Sequence, residues 1–188
     1  MGVAGTGKTT LGREIAKKIW AVYLDNNYIA DAFFPDARNG RRYERLRPHF
    51  YNALYAIAEG NLAVGNSVLL DVPHVKEVQS PEWPRQIKQL AAVNGATLIA
   101  IRCFCSADLL RRRIIERGEE RDGWKLRHWD EFLAAQPLQV SIPFPHLDIN
   151  TEESLPRTVR AAVRYIRTRA LHGQKKPVRS IARLRKLK

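Results

Sequence analysis

Four of the first nine residues, Gly2, Gly7, Lys8 and Thr9, fit the spacing G-x-x-x-x-G-K-[ST] without a mismatch. This spacing suits phosphate chemistry. Glycines let the backbone turn tightly and bring its N–H groups against phosphate oxygens. Gly7 then opens a helix whose positive end faces the anion. Lys8 offers a mobile cation to the β- and γ-phosphates, and the Thr9 hydroxyl is a hard oxygen ligand for Mg²⁺. Gly2, Val3, Ala4, Gly5, Thr6, Gly7, Lys8, Thr9 and Thr10 are therefore the expected contacts for ATP.

Two carboxylates follow, each at the end of an apolar run. Asp25 closes "AVYLD", and Asp71 closes "SVLLD". An acid at such a place can hold Mg²⁺ directly or through water. Asp71 is the expected metal partner of Thr9. Asp25 is the better candidate for a base, because Asn27, two residues on, can position a hydroxyl but accepts no proton at neutral pH. The alternative for each acid is a turn former at a strand end, and His74 is either an acceptor contact or an exposed loop histidine.

Elements must place these groups. Strands are expected to end near Leu24, over 67–72, over 96–105 and over 146–150. Helices are expected over 7–20, with Leu11, Ile15, Ile19 and Trp20 near helical spacing, and over 48–63, opening at Pro48 with Phe50, Leu54, Ile57 and Ala58 on one face. Another runs from a Ser80 cap to Asn94-Gly95, one from Ser106 to Gly118, and a last one follows Thr151 and Ser154. Strand–helix alternation with crossover-length connections predicts an α/β fold, a parallel sheet covered by helices on both faces. Ligands of such sheets lie beyond the strand carboxyl ends, where the loop, Asp25 and Asp71 all fall.

Composition is that of an ordinary soluble globular chain: 188 residues, 45% hydrophobic and 27% charged. No apolar run is long enough for a membrane span and no signal peptide heads the sequence, so the default expectation is a cytoplasmic protein. Cys103 and Cys105, two apart, read as reduced thiols on one face of a strand. Net charge is +13, unevenly spread: residues 167–188 hold nine of the 32 Lys and Arg and none of the 19 acids. That tail is expected to be flexible. A solvated terminus is favoured over a contact with nucleic-acid phosphates.

"GVAGTGKTT", "YLDNNYI", "VLLDVP" and "CSADLLRRRIIERGEERD" together resemble the P-loop kinases of the nucleotide and small-molecule group, akin to gluconate, shikimate and adenylylsulfate kinases and zeta toxins. The resemblance covers about residues 1–166. It implies a three-layer α/β/α P-loop fold with ATP and Mg²⁺ as cofactors, an acceptor region over 28–65 and an Arg-rich lid over 106–125. Relatives often carry Asp-x-Asp after the second strand; here Asn27 takes the second place. The resemblance makes Lys8, Asp25, Arg117 and Arg121 the catalytic set, with Arg113 beside the nucleotide. Developing charge on the phosphoryl group is what such arginines stabilise. Asn27, Arg38, Arg41, Arg47 and His74 are the acceptor candidates, and the arginines suit an anionic molecule or, equally, a wet helix surface.

Three readings follow. The first is a kinase that phosphorylates a hydroxyl of a small acceptor. A second uses the same chemistry on nucleic-acid or nucleotide-sugar ends, docked by the basic tail. A third is a nucleotide-binding regulator with weak catalysis. Loops of this type follow a buried strand, so Met1 is expected to be an internal strand residue, with several residues upstream lacking from the sequence.

Overall fold

A computed structural model describes residues 1–35, 38 and 40–173. β-Branched and aromatic runs form four short strands, β1 (Val22–Asp25), β2 (Val68–Asp71), β3 (Ala100–Phe104) and β4 (His146–Asn150). β1 pairs with β2 in parallel, from Val22 opposite Val68 to Asp25 opposite Asp71. β3 pairs with β4 likewise, from Ala100 opposite His146 to Phe104 opposite Asn150. The first register sets the two candidate carboxylates side by side.

Where one sheet was expected there are two parallel pairs, stitched at one end by the backbone of Met1 and Gly2. The Met1 amino group donates to the Ile101 carbonyl at 2.8 Å, and the Met1 carbonyl accepts the Cys103 N–H at 2.9 Å. On the other side the Gly2 N–H donates to the Pro73 carbonyl at 3.0 Å. These are the bonds of a parallel strand lying between β2 and β3. Burial lowers the pKa of the Met1 amino group, because a dry ammonium is costly.

Helices cover both faces. α1 (Lys8–Ile19) packs beside α8 (Leu155–Gly173), and Leu11, Ile15, Val159 and Ala162 meet Cys103 and Ile149. α3 (Arg41–Ala63) and α4 (Trp83–Val93) lie opposite, with Tyr51, Leu54, Trp83 and Ile87 around Val72. Leu69 joins the first cluster and its neighbour Leu70 the second, as alternate strand residues must. α2 (Asn26–Phe33) sits against α3. α5 (Ala107–Arg117), a 3-10 turn at Glu120–Asp122 and α6 (Gly123–Arg127) cover the segment expected as a lid, and α7 (Trp129–Ala135) follows; Leu110, Ile114 and Phe132 pack with Val3.

Several expectations shift. α3 begins at Arg41, so Pro48 lies inside the helix instead of opening it; tertiary packing of Tyr43 and Phe50 outweighs the lost N–H bond. Ile57 is 46% exposed and leaves the face shared by Phe50, Leu54 and Ala58. Trp20, 89% exposed, caps α1 in a left-handed conformation and does not extend its apolar stripe. Ser80 lies before α4 and bonds Glu82 without capping the helix. Ser106 and Gly118 do bound α5. Cys103 and Cys105 are free and buried, but they enter different clusters because Cys105 lies past the end of β3. α8 runs on to Gly173, so residues 167–173 of the basic tail are helical; 174–188, with the expectation of a flexible tail, lie outside the described residues.

The join at Gly2 admits no side chain. A Cβ there would stand 2.3 Å from the Cys103 carbonyl oxygen, whereas one at Gly7 would meet nothing nearer than Thr151 Cβ at 3.5 Å. Gly7→Ala is therefore expected to lose only its left-handed freedom, about 1 kcal/mol or roughly 2–4 °C in Tm. Gly2→Ala adds a backbone clash and is expected to lose about 3 kcal/mol or more. Thermal melts of both variants check this, and equal losses would contradict it.

Candidate functional site

The phosphate loop takes its shape from left-handed glycines, with φ of 134° at Gly2, 88° at Gly5 and 76° at Gly7. Val3 and Thr6 are buried, and the Thr6 hydroxyl donates to the Val3 carbonyl at 2.8 Å. Their side chains hold the loop from behind. Ala4, Gly5, Gly7, Lys8, Thr9 and Thr10 face a cleft of about 1430 Å³, while Gly2 lies in the strand join beneath it. The unsatisfied N–H groups at the start of α1 open on the same space.

Lys8 folds back, its ammonium donating to the Val3 carbonyl at 2.7 Å. Burial lowers its pKa and the Asp71 carboxylate pulls the other way. A partly dehydrated cation of this kind favours an arriving anion. Asp71 Oδ2 accepts the Thr9 hydroxyl at 2.7 Å and the Tyr23 hydroxyl at 2.5 Å. Among the described residues no group of three or more His, Cys, Asp or Glu could hold a metal. A hydroxyl and a carboxylate do fit Mg²⁺, which usually keeps several waters and shares its shell with nucleotide phosphates.

Asp25, beside Asp71, is buried and caps α2, its Oδ1 accepting the Asn27 N–H at 2.8 Å. Burial raises its pKa, and the Asn27 bond offsets part of that rise. Asn27 in turn accepts Arg38 at 2.8 Å.

Across the cleft Arg113, Arg117 and Arg121 all reach in. Arg113 donates to the Thr151 hydroxyl at 2.9 Å and to its carbonyl at 2.7 Å. Arg117 bonds Asp122 at 2.8 Å, and Arg121 bonds Asp31 at 2.9 and 3.1 Å. Each is held by this chain's own acceptor. Buried Asp122 also pairs with Lys125; burial alone would raise its pKa, but Lys125 and Arg117 bring it below the usual range. Asp31 also pairs with Arg38. The sequence reading missed Asp31, Asp122 and Lys125. The i, i+3 spacing of Asp122 and Lys125 is the only trace, and it marks any charged helix.

Of the five acceptor candidates, three lie at the cleft. Asn27, Arg38 and Arg47 line the cleft. Arg47 lies 4.9 Å over the Tyr51 ring and pairs with Glu77 behind it. Burial would raise the Glu77 pKa, yet His74 and Arg47 outweigh it and lower it. Arg41 is exposed in the first turn of α3 and does not line the cleft. His74 does not line it either. It is buried 4.7 Å from the Trp83 ring and 5.3 Å from the Tyr51 ring, with Nε2 3.3 Å from the Tyr55 hydroxyl. Burial lowers its pKa, so it packs as a neutral ring.

A probable gluconokinase of Xenopus tropicalis is 28% identical over 133 residues, which span 62% of this chain and 66% of that protein. A sugar kinase from Janibacter superposes with a TM-score of 0.67 at 14% identity, covering 92% of this chain and 94% of that one. The Mycobacterium tuberculosis APS kinase solved with AMPPNP and APS gives 0.63 at 15% identity, over 89% and 94%. A gluconokinase from Sinorhizobium meliloti gives 0.59 at 17%, over 94% and 95%. These likenesses carry the P-loop kinase fold. With residues 1–138 matching the AAA domain family, this chain belongs to that family.

Proposed function

We propose that this protein is a Mg²⁺- and ATP-dependent kinase that transfers the γ-phosphoryl group to a hydroxyl of a small anionic acceptor. One observation carries the reading: Lys8, Thr9, Asp25, Asp71, Arg117 and Arg121 all border a single cleft. The kinase names of the relatives support a small-molecule acceptor.

The loop N–H groups and Lys8 hold the β- and γ-phosphates in place. Thr9 and Asp71 hold Mg²⁺, which when bound neutralises charge on those phosphates. Asn27 orients the acceptor hydroxyl, and Asp25 takes its proton as the acceptor oxygen bonds to the γ-phosphorus. The bond from that phosphorus to the β–γ bridging oxygen breaks, and ADP leaves with the electron pair. Arg117 and Arg121 exchange Asp122 and Asp31 for the oxygens of the transferring group. Arg47, backed by Glu77 and Tyr51, meets the acceptor's anion.

A panel of sugars, polyols and hydroxy acids, with their phosphates, supplied with ATP labelled at the γ-phosphorus, tests this. Lys8→Ala is expected to lower transfer by about 100-fold or more, and Arg47→Ala to raise the acceptor KM more than it lowers kcat. Transfer indifferent to Lys8→Ala would remove the reading.

Asp25 adds a pH test. Its folded pKa is raised, so the folded state binds a proton more readily than the unfolded chain does, and stability falls as pH rises above about 4. Asp25→Asn keeps the cap acceptor and removes that cost. It is expected to raise Tm at neutral pH, with the gain fading as pH falls toward about 4, and to slow transfer. A lower Tm at neutral pH would contradict the burial argument, and unchanged transfer would contradict the role as base.

A further inference from the structure

A second groove, of about 910 Å³, runs along α8 between that helix, β4 and Lys18 near the end of α1. Arg157, Arg160, Arg164 and Arg167 line it, and all four are exposed. Their spacing of three, four and three residues keeps them on one face of the helix. α8 contains no acid at all. The two acids at the groove are engaged: Asp148 by Arg102 at 2.6 Å and Glu153 by Arg157 at 3.0 Å. Among the described residues Arg160, Arg164 and Arg167 have no acidic partner within salt-bridge distance.

From this we infer that the α8 groove is a docking surface for the phosphodiester backbone of a single-stranded nucleic acid. The stripe spans about 15 Å from Arg157 to Arg167, long enough for consecutive phosphates of one strand. Guanidinium groups suit phosphate oxygens better than ammonium groups do. A bilayer is disfavoured because the apolar face of α8 is already used: Val159 and Ala162 are buried against Leu11, Ile15 and Ile149. The groove shares Glu153 and Thr158 with the ATP cleft, at the end where Arg113 holds Thr151. The wall bearing Asn27 and Arg38 takes no part in it. The bound strand is therefore a docking partner and not the phosphoryl acceptor, and the inference stands or falls independently of the proposed kinase reaction.

Fluorescence anisotropy of the full chain with a labelled oligouridylate of roughly 20 nucleotides, without ATP, over about 50 to 300 mM KCl, tests it. The triple variant Arg160→Ala, Arg164→Ala, Arg167→Ala is expected to flatten the slope of log K against log salt by about two, from three contacts at about 0.7 each. The matching triple arginine-to-lysine variant is expected to keep the slope, since it preserves the charges. A control triple at exposed positions elsewhere, Arg45→Ala, Arg85→Ala and Arg112→Ala, is expected to leave it nearly unchanged. Circular dichroism melts of every variant show whether the fold is intact, and if the alanine triple unfolds, Arg160→Gln with Arg164→Gln takes its place. Equal slopes for the groove and control triples would overturn the inference. So would polyglutamate that competes as well as RNA at equal charge, or phosphatidylglycerol vesicles that bind more tightly than the oligonucleotide and lose that binding with the same triple.

Discussion

Three main-chain hydrogen bonds at Met1 and Gly2 tie the phosphate loop to two separate strand pairs, and the cleft takes its geometry from them. Gly2 reaches Pro73, just past β2, while Met1 brackets Arg102 in β3. The loop thus hangs at the meeting point of both pairs. No side chain fits at Gly2, because the Cys103 carbonyl fills the space that a Cβ would need. The close approach of backbone to backbone sets the height of Lys8 and Thr9 above the strand ends.

From that anchor the charges fall into place. The β1–β2 register puts Asp25 next to Asp71, and the loop delivers the Thr9 hydroxyl to Asp71 Oδ2. One carboxylate is bonded by hydroxyls; its neighbour is burdened by burial and capped by one N–H. Two adjacent acids with different surroundings can take different roles, one toward a cation and one toward a proton. Opposite them the lid arginines rest on Asp122, Asp31 and Thr151. These contacts keep the guanidinium groups ordered beside the cleft, so in the proposed reaction less entropy would be lost when they turn to a phosphoryl group.

Much of this was legible in the residues. The loop spacing, the four strand positions and the Ser106–Gly118 lid helix are local signals, and each lies where its pattern places it. What escaped depends on contacts distant in sequence. Pro48 reads as a helix start, yet Tyr43 and Phe50 draw seven more residues into α3. His74 reads as either an acceptor contact or an exposed loop histidine, and instead Trp83, Tyr51 and Tyr55 enclose it. Asp31 carries no local signal in the sequence, and only the fold brings it to Arg121, 90 residues away. The charge stripe on α8 was visible in part as a basic tail, but its groove exists only once α8 lies against β4.

The central claim is that the loop and the strand-end carboxylate together form a site for Mg²⁺ and ATP. Calorimetric titration of ATP with and without Mg²⁺, on the wild-type chain and on Asp71→Asn, addresses it most directly. The account predicts that Mg²⁺ tightens ATP binding about tenfold or more in the wild type, worth about 1.4 kcal/mol, and that Asp71→Asn loses most of this gain while still binding free ATP. An equal gain from Mg²⁺ in both proteins, or none in the wild type, would contradict it.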